Sequence, residues 1–170
     1  MTTAPNTSPS PTGARVLERI RQSRQALEGL VASLDEATLM RPGPGGWSVK
    51  DHLAHLTAWR RMVLGFLDGR AAPEGLGVSA ETYEQGEDAI NAALFVSHRE
   101  RPWPEVRDEF HRVYDSLVER LAQLGEDEWQ QPYPITPRRP YPRIDNIEGN
   151  TFEHDLEHLG WIEAALGRGG

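Results

Sequence analysis

Thirteen prolines cut the chain into five proline-free windows, at 12–41, 45–72, 74–101, 105–131 and 143–170. Proline breaks a helix interior, so long helices fit only inside these windows. The first carries Val16, Leu17, Ile20, Leu27, Leu30, Val31 and Leu34 at three- and four-residue steps. That period predicts a helix over 14–34. The second has Ser48 as an N-cap before Val49, Leu53, Leu56, Trp59, Val63, Phe66 and Leu67, predicting a helix over 48–68. The fourth predicts a helix over 104–124 from Val106, Phe110, Val113, Leu117, Leu121 and Leu124, stopping at Gly125. The fifth predicts a helix over 151–166 from Phe152, Leu156, Leu159, Ile162 and Leu166, with Asn150 or Thr151 as cap. The third window is mixed and predicts a shorter helix near 80–97, with Ile90, Leu94 and Phe95 inward.

No stretch reads as a strand, and 130–149, with five prolines, reads as a long extended loop. The expectation is an all-α four-helix bundle. It has an extra short helix between its second and third long helices and a proline-rich loop before the last. The short connection between the first two long helices favours antiparallel neighbours. Residues 1–13 are rich in Ser, Thr and Pro and read as a disordered tail, leaving 14–168 as one domain. They lack the basic and apolar regions of a secretory signal.

Charge and cysteine exclude several functions. There are 18 Lys and Arg against 26 Asp and Glu, a net −8, so the chain lacks the basic footprint of a nucleic-acid binder. It has no cysteine, which excludes disulfides, a thiolate nucleophile and iron–sulfur ligation, and suits a reducing cytoplasm. No apolar run is long enough to span a bilayer.

The histidines carry the chemistry. His154 and His158 are four apart, one helical turn, and two imidazoles so placed can share a metal ion. On a helical wheel they sit more than about 100° from the Phe152–Leu166 stripe, on a face shared with Trp161 and Ala165. A surface pair beside an exposed tryptophan is the plainer alternative. His52 lies near the middle of the apolar stripe of its helix, and His55 lies at its edge with Trp59 and Met62. One more imidazole beside the pair would leave an open position on a divalent ion, as catalytic sites do. Periodicity does not choose between His52 and His55. His154 to His158 also fits the H-x-x-E-H peptidase string, but Glu163 is the only acid that follows. His98, in a charged run, reads as solvated, and His111 as a boundary residue.

The segments GGWSVKDHLAHLTAWRRMVLGFLDG at 45–69, DAINAALF at 88–95 and GNTFEHDLEHLGWIEAAL at 149–166 resemble the DinB/YfiT-like superfamily. Within it they are most similar to the ClbS/DfsB-type branch. The resemblance implies a DinB-like four-helix bundle with a three-histidine site in a cleft. Its register places the early ligand eight residues after Trp47, at His55, and the late pair at His154 and His158. It implies a divalent ion, nickel or zinc before others, and for some relatives a low-molecular-weight thiol. The expected activity is hydrolysis or thiol transfer on a small electrophile, in stress or toxin protection, by a cytoplasmic homodimer. Glu157 stands as a candidate general base and His52 as a candidate partner of a ligand. Asn91, Trp59 and Trp161 are candidates for contacting substrate. Arg138, Arg139 and Arg143 are loop charges able to meet an anion. A metal-free, ClbS-like protective or binding protein is the alternative.

Overall fold

The structure is a computed structural model that describes residues 9–133 and 141–168. Four long helices, α1 (Pro11–Ala32), α3 (Val49–Leu67), α7 (Trp103–Ala122) and α10 (Phe152–Ala165), occupy the windows that proline leaves open, and α1 and α7 each begin just ahead of their window with a proline in the first turn. α1 begins three residues before the expected boundary. Ser10 accepts a hydrogen bond from the Gly13 amide at 3.2 Å, and Pro11 takes a first-turn position where its missing N–H costs nothing. Residues 11–13 are therefore helix, and only residues 1–8 of the expected tail lie outside the described residues. Ser48 caps α3 as expected, and Asp51 reaches back to the Ser48 amide to complete a capping box.

Short helices fill the connections: α2 (Glu36–Met40), α4 (Ala72–Leu76), α5 (Ala80–Glu84), α6 (Glu87–His98), α8 (Glu126–Trp129) and α9 (Arg143–Gly149). The helix expected over 80–97 is two. Gly86, at φ 99°, turns the chain between α5 and α6, a conformation that disfavours any residue with a Cβ. The expected loop 130–149 is also more ordered at its ends. β1 (Pro132–Tyr133) pairs antiparallel with β2 (Tyr141–Pro142), and α9 then buries Ile144 and Ile147. Arg138 and Arg139 lie outside the described residues. Thr151 is the N-cap residue of α10, one of the two expected, but its hydroxyl makes no capping bond and donates instead to the Ile147 carbonyl at 2.6 Å.

Two apolar clusters define the packing. One joins Val16, Leu17 and Ile20 of α1 to Met62 and Val63 of α3, Leu117 and Leu121 of α7, and Phe152 of α10. The other joins Leu27 and Leu30 of α1 to Leu53 and Leu56, Phe110, and Ile162. The start of α1 thus meets the end of α3 and of α7 and the start of α10. α3 and α7 run one way, α1 and α10 the other. α7 packs between α1 and α3 on one side and α10 does so on the other. α1 and α3 are antiparallel, as the short connection requires, but they face each other across the bundle rather than side by side. α2 and the Pro42–Gly46 turn carry the chain over the bundle end.

Between the two apolar clusters lies a buried polar contact. Arg60 of α3 donates to Asp155 of α10, both about 1% exposed, and Ser23 of α1 donates to the other Asp155 oxygen at 2.8 Å. Asp155 therefore turns inward and Leu156, expected in the core, is 49% exposed. The buried residues of α10 are Phe152, Asp155, His158 and Ile162. The wheel centred on aliphatic residues alone was rotated away from this face, because an ion pair and an imidazole take part of it. A second buried cation, Lys50, donates to the carbonyls of His98 and Arg101 at 3.2 and 3.3 Å and also to that of Arg99. It anchors the end of α6, the helix that carries Glu87 and Asn91.

Candidate metal centre

α3 and α10 bring four imidazoles together. His55 and His154 face each other through their Nε2 atoms at 3.2 Å. His158 stacks on His55 with ring centroids 4.7 Å apart, and it meets His154 edge-on at the same separation. Among the described residues His55, His154 and His158 each offer a ligand atom within 4.8 Å of the others. His52 stands outside that trio. Its Nδ1 shares a hydrogen bond of 2.8 Å with Nδ1 of His158. The one-turn spacing of each pair explains the arrangement: His154 and His158 stack along one face of α10, and His52 and His55 are three apart on α3.

The electrostatics keep these rings neutral. Burial pushes His52 and His154 down to about 4, and the Arg60 guanidinium adds to the effect at His154. Burial, followed by the neighbouring His154, His52 and His98, brings His55 to about 3. His158 is lowered further still, by burial and then by His154, His55 and His52. A neutral imidazole keeps a free lone pair, which a metal ligand needs and an imidazolium lacks.

Geometry also fits a divalent ion. Two nitrogens bound to one tetrahedral zinc at 2.0–2.1 Å would stand about 3.3 Å apart. The His55 and His154 nitrogens are 3.2 Å apart. The His52 contact occupies Nδ1 of His158 and so leaves its Nε2 as the nitrogen free for an ion, the role that partners of metal-bound histidines commonly play. Nδ1 of His55 and of His154 are buried and have no hydrogen-bond partner.

The cluster opens into a cavity of about 560 Å³, within the usual range for small-molecule sites. Asn91, Glu157 and Trp161, all expected from the sequence, line it. Glu157 is exposed at its rim. Trp59 does not line it. That ring packs behind the histidines, 6.1 Å from both His55 and His154, and joins the apolar core. Its position one turn beyond His55 follows α3 inward, toward Met62 and Val63, rather than toward the opening.

Three features of the wall escaped the sequence reading. Trp47 stacks on Phe95 at 5.3 Å and places its edge against His55 at 5.2 Å. Glu87 lines the cavity from one turn before Asn91 on α6. The Gly43–Pro44–Gly45 turn closes a third side. Trp47 was visible as the residue eight before His55; nothing in its spacing said that it forms a wall. His98 is also not solvated as expected. It is half-buried, and its basicity is lowered by that burial and then by Arg101 and Arg61. His111 does sit at a boundary, with its Nδ1 2.6 Å from Arg24. Arg143 is away from the site, bonded to Gln131 at 3.1 Å and close to Glu128.

No helix among the described residues is long and apolar enough to cross a membrane. A family model for the DinB superfamily matches residues 19–162, which takes in α3 and α7 whole, most of α1 and α10, and all four histidines of the cluster. No curated protein and no solved structure matches the chain.

Proposed function

The chain belongs to the DinB superfamily, and from that premise we propose that it is a divalent-metal-dependent enzyme acting on a small electrophilic molecule by hydrolysis or thiol transfer. The observation that carries this reading is the convergence of three neutral imidazoles, His55, His154 and His158, at one end of an open cavity. Zinc and nickel both suit three nitrogen donors. Such an ion, when bound, supplies Lewis acidity and lowers the pKa of water or a thiol toward neutrality.

The chain's own residues supply the rest. His52 holds the ring of His158 in one orientation and one tautomer. Glu157, one residue before His158 on α10, places a carboxylate at the cavity rim. Asn91 presents an amide whose Oδ1 is buried and without a partner, ready to orient substrate. Trp161 and Trp47 keep the cavity largely apolar, which strengthens each polar contact inside it. The reading carries with it a cytoplasmic protein and a homodimer in which the half-exposed Leu156 helps form the contact.

The test is a zinc and nickel titration of chelator-stripped, tag-free protein by calorimetry, with metal content measured by mass spectrometry. One equivalent should rebind. His55→Ala, His154→Ala and His158→Ala should each lose tight binding with the helical circular dichroism retained. Retention of metal in all three variants would overturn the ligand assignment. One observation favours a second reading, a metal-free protective protein of the ClbS/DfsB type. The four imidazoles already close into two hydrogen-bonded pairs, His55 with His154 and His52 with His158. Failure of the stripped protein to bind either ion would select that reading.

A further inference from the structure

The charge pattern of the cavity wall narrows the class of molecule it takes. α6 presents Glu87 and Asn91 one turn apart, and α10 presents Glu157 and Trp161 one turn apart. Trp47 stands on the remaining side, braced by Phe95. Among the described residues the lining contains no lysine and no arginine. Arg41 lines a different hollow, of about 370 Å³, which shares the Pro44 and Trp47 wall. Among the described residues the arginines that approach α10 are engaged elsewhere: Arg60 with Asp155 inside the bundle, Arg19 over the Phe152 ring, and Arg168 with Ser33. The wall thus offers two carboxylates, a buried amide oxygen without a partner and two indole faces. Each of these attracts a cation, and no fixed cation is there to hold a carboxylate or phosphate.

We propose that the cavity selects a ligand with an apolar body and a protonated amine, the body against Trp47 and Trp161 and the amine against Glu87 and Glu157. This rests on the reading of the cavity as a small-molecule site and adds the class of molecule. An ion on the histidines would place the only positive charge at the floor, where the reacting end belongs. The walls then take the opposite end. Anionic thiols such as glutathione are poor matches for these walls, and an amine-bearing electrophile is a good one.

Three probes of nearly equal shape test this: phenethylammonium, 2-phenylethanol and 3-phenylpropanoate. Each is titrated against the full chain, stripped of metal and zinc-loaded, by calorimetry and quenching of tryptophan fluorescence. The ammonium probe should bind the metal-free protein roughly tenfold more tightly than the alcohol, from one cation–π contact and one or two ion pairs, and more tightly than the carboxylate. The margin should shrink in high salt. Glu87→Gln should reduce it, and the Glu87→Gln, Glu157→Gln double variant should abolish it. The proposal is overturned by no detectable ammonium binding at millimolar concentration, by equal affinity for the alcohol or carboxylate in the metal-free protein, or by a preference that survives in the double variant. Zinc binding is measured separately, so a chain that binds no zinc can still show the preference, and one that binds zinc can lack it.

Discussion

Arg60 and Asp155 provide the sharpest test of how α10 is held. Arg60→Met leaves the Asp155 carboxylate, about 1% exposed, with Ser23 as its only remaining side-chain donor among the described residues. Breaking a buried pair by removing one partner costs about 3–5 kcal/mol, most of it the penalty of the stranded charge. For a domain of this length that corresponds to a fall in Tm of roughly 6–20 °C. Asp155→Asn keeps an acceptor for Ser23 and strands the guanidinium over Phe110, whose ring centroid is 5.0 Å away. It should cost a similar amount. The double variant strands no charge, so it should be more stable than the sum of the two singles predicts, by about 2 kcal/mol or more. The assay is urea unfolding of metal-free protein at pH 7, followed by circular dichroism. Additive losses, each below about 1 kcal/mol, would refute the reasoning and mean that the pair is solvated in the folded chain.

Two further outcomes follow from the histidine cluster. His52→Ala should leave one equivalent of zinc bound but weaken it by roughly 10–100-fold, because His158 loses the partner that orients it; unchanged affinity in calorimetry would remove His52 from the site. Histidines held at about 3 to 4 when folded titrate near 6.5 when unfolded, so acid protonates the unfolded chain first. Metal-free protein should therefore be insensitive to these groups above pH 6.5 and lose stability between about pH 6.5 and 4. The slope is on the order of 1 kcal/mol per pH unit for each histidine, and equal urea midpoints at pH 7 and pH 5.5 would contradict it.

The long helices were legible because proline excludes helix interiors and five to seven apolar residues in each of their windows set a period. Of the short helices, α5 and α6 were anticipated together as one helix over 80–97, and the others were not. Four to seven residues, as in α8 and α9, span too little of a turn pattern to be separated from loop, and they persist because tertiary burial of Trp129, Ile144 and Ile147 holds them. His154 and His158 were legible from spacing alone, and the family resemblance chose His55 over His52. Asp155 and Arg60 were hidden, since a charged residue is expected outside and only its partner, 95 positions away, makes burial favourable. Glu87 and Trp47 were hidden for a different reason: lining a cavity depends on how three elements approach, and no local pattern records that.

The proposed ligands come from distant parts of the chain, with His55 and His154 separated by 99 positions. Before folding, bringing them together means closing a loop of that length, an entropic cost that grows only slowly with further residues but is substantial from the outset. The bundle meets that cost with the packing of Phe152 and Ile162 and with the Arg60 contact. An ion joining α3 to α10 would then act as a crosslink as well as a reagent. Its binding free energy would add to the docking of α10 on the rest of the bundle, so that metal supply and the fraction of fully assembled chains would rise and fall together.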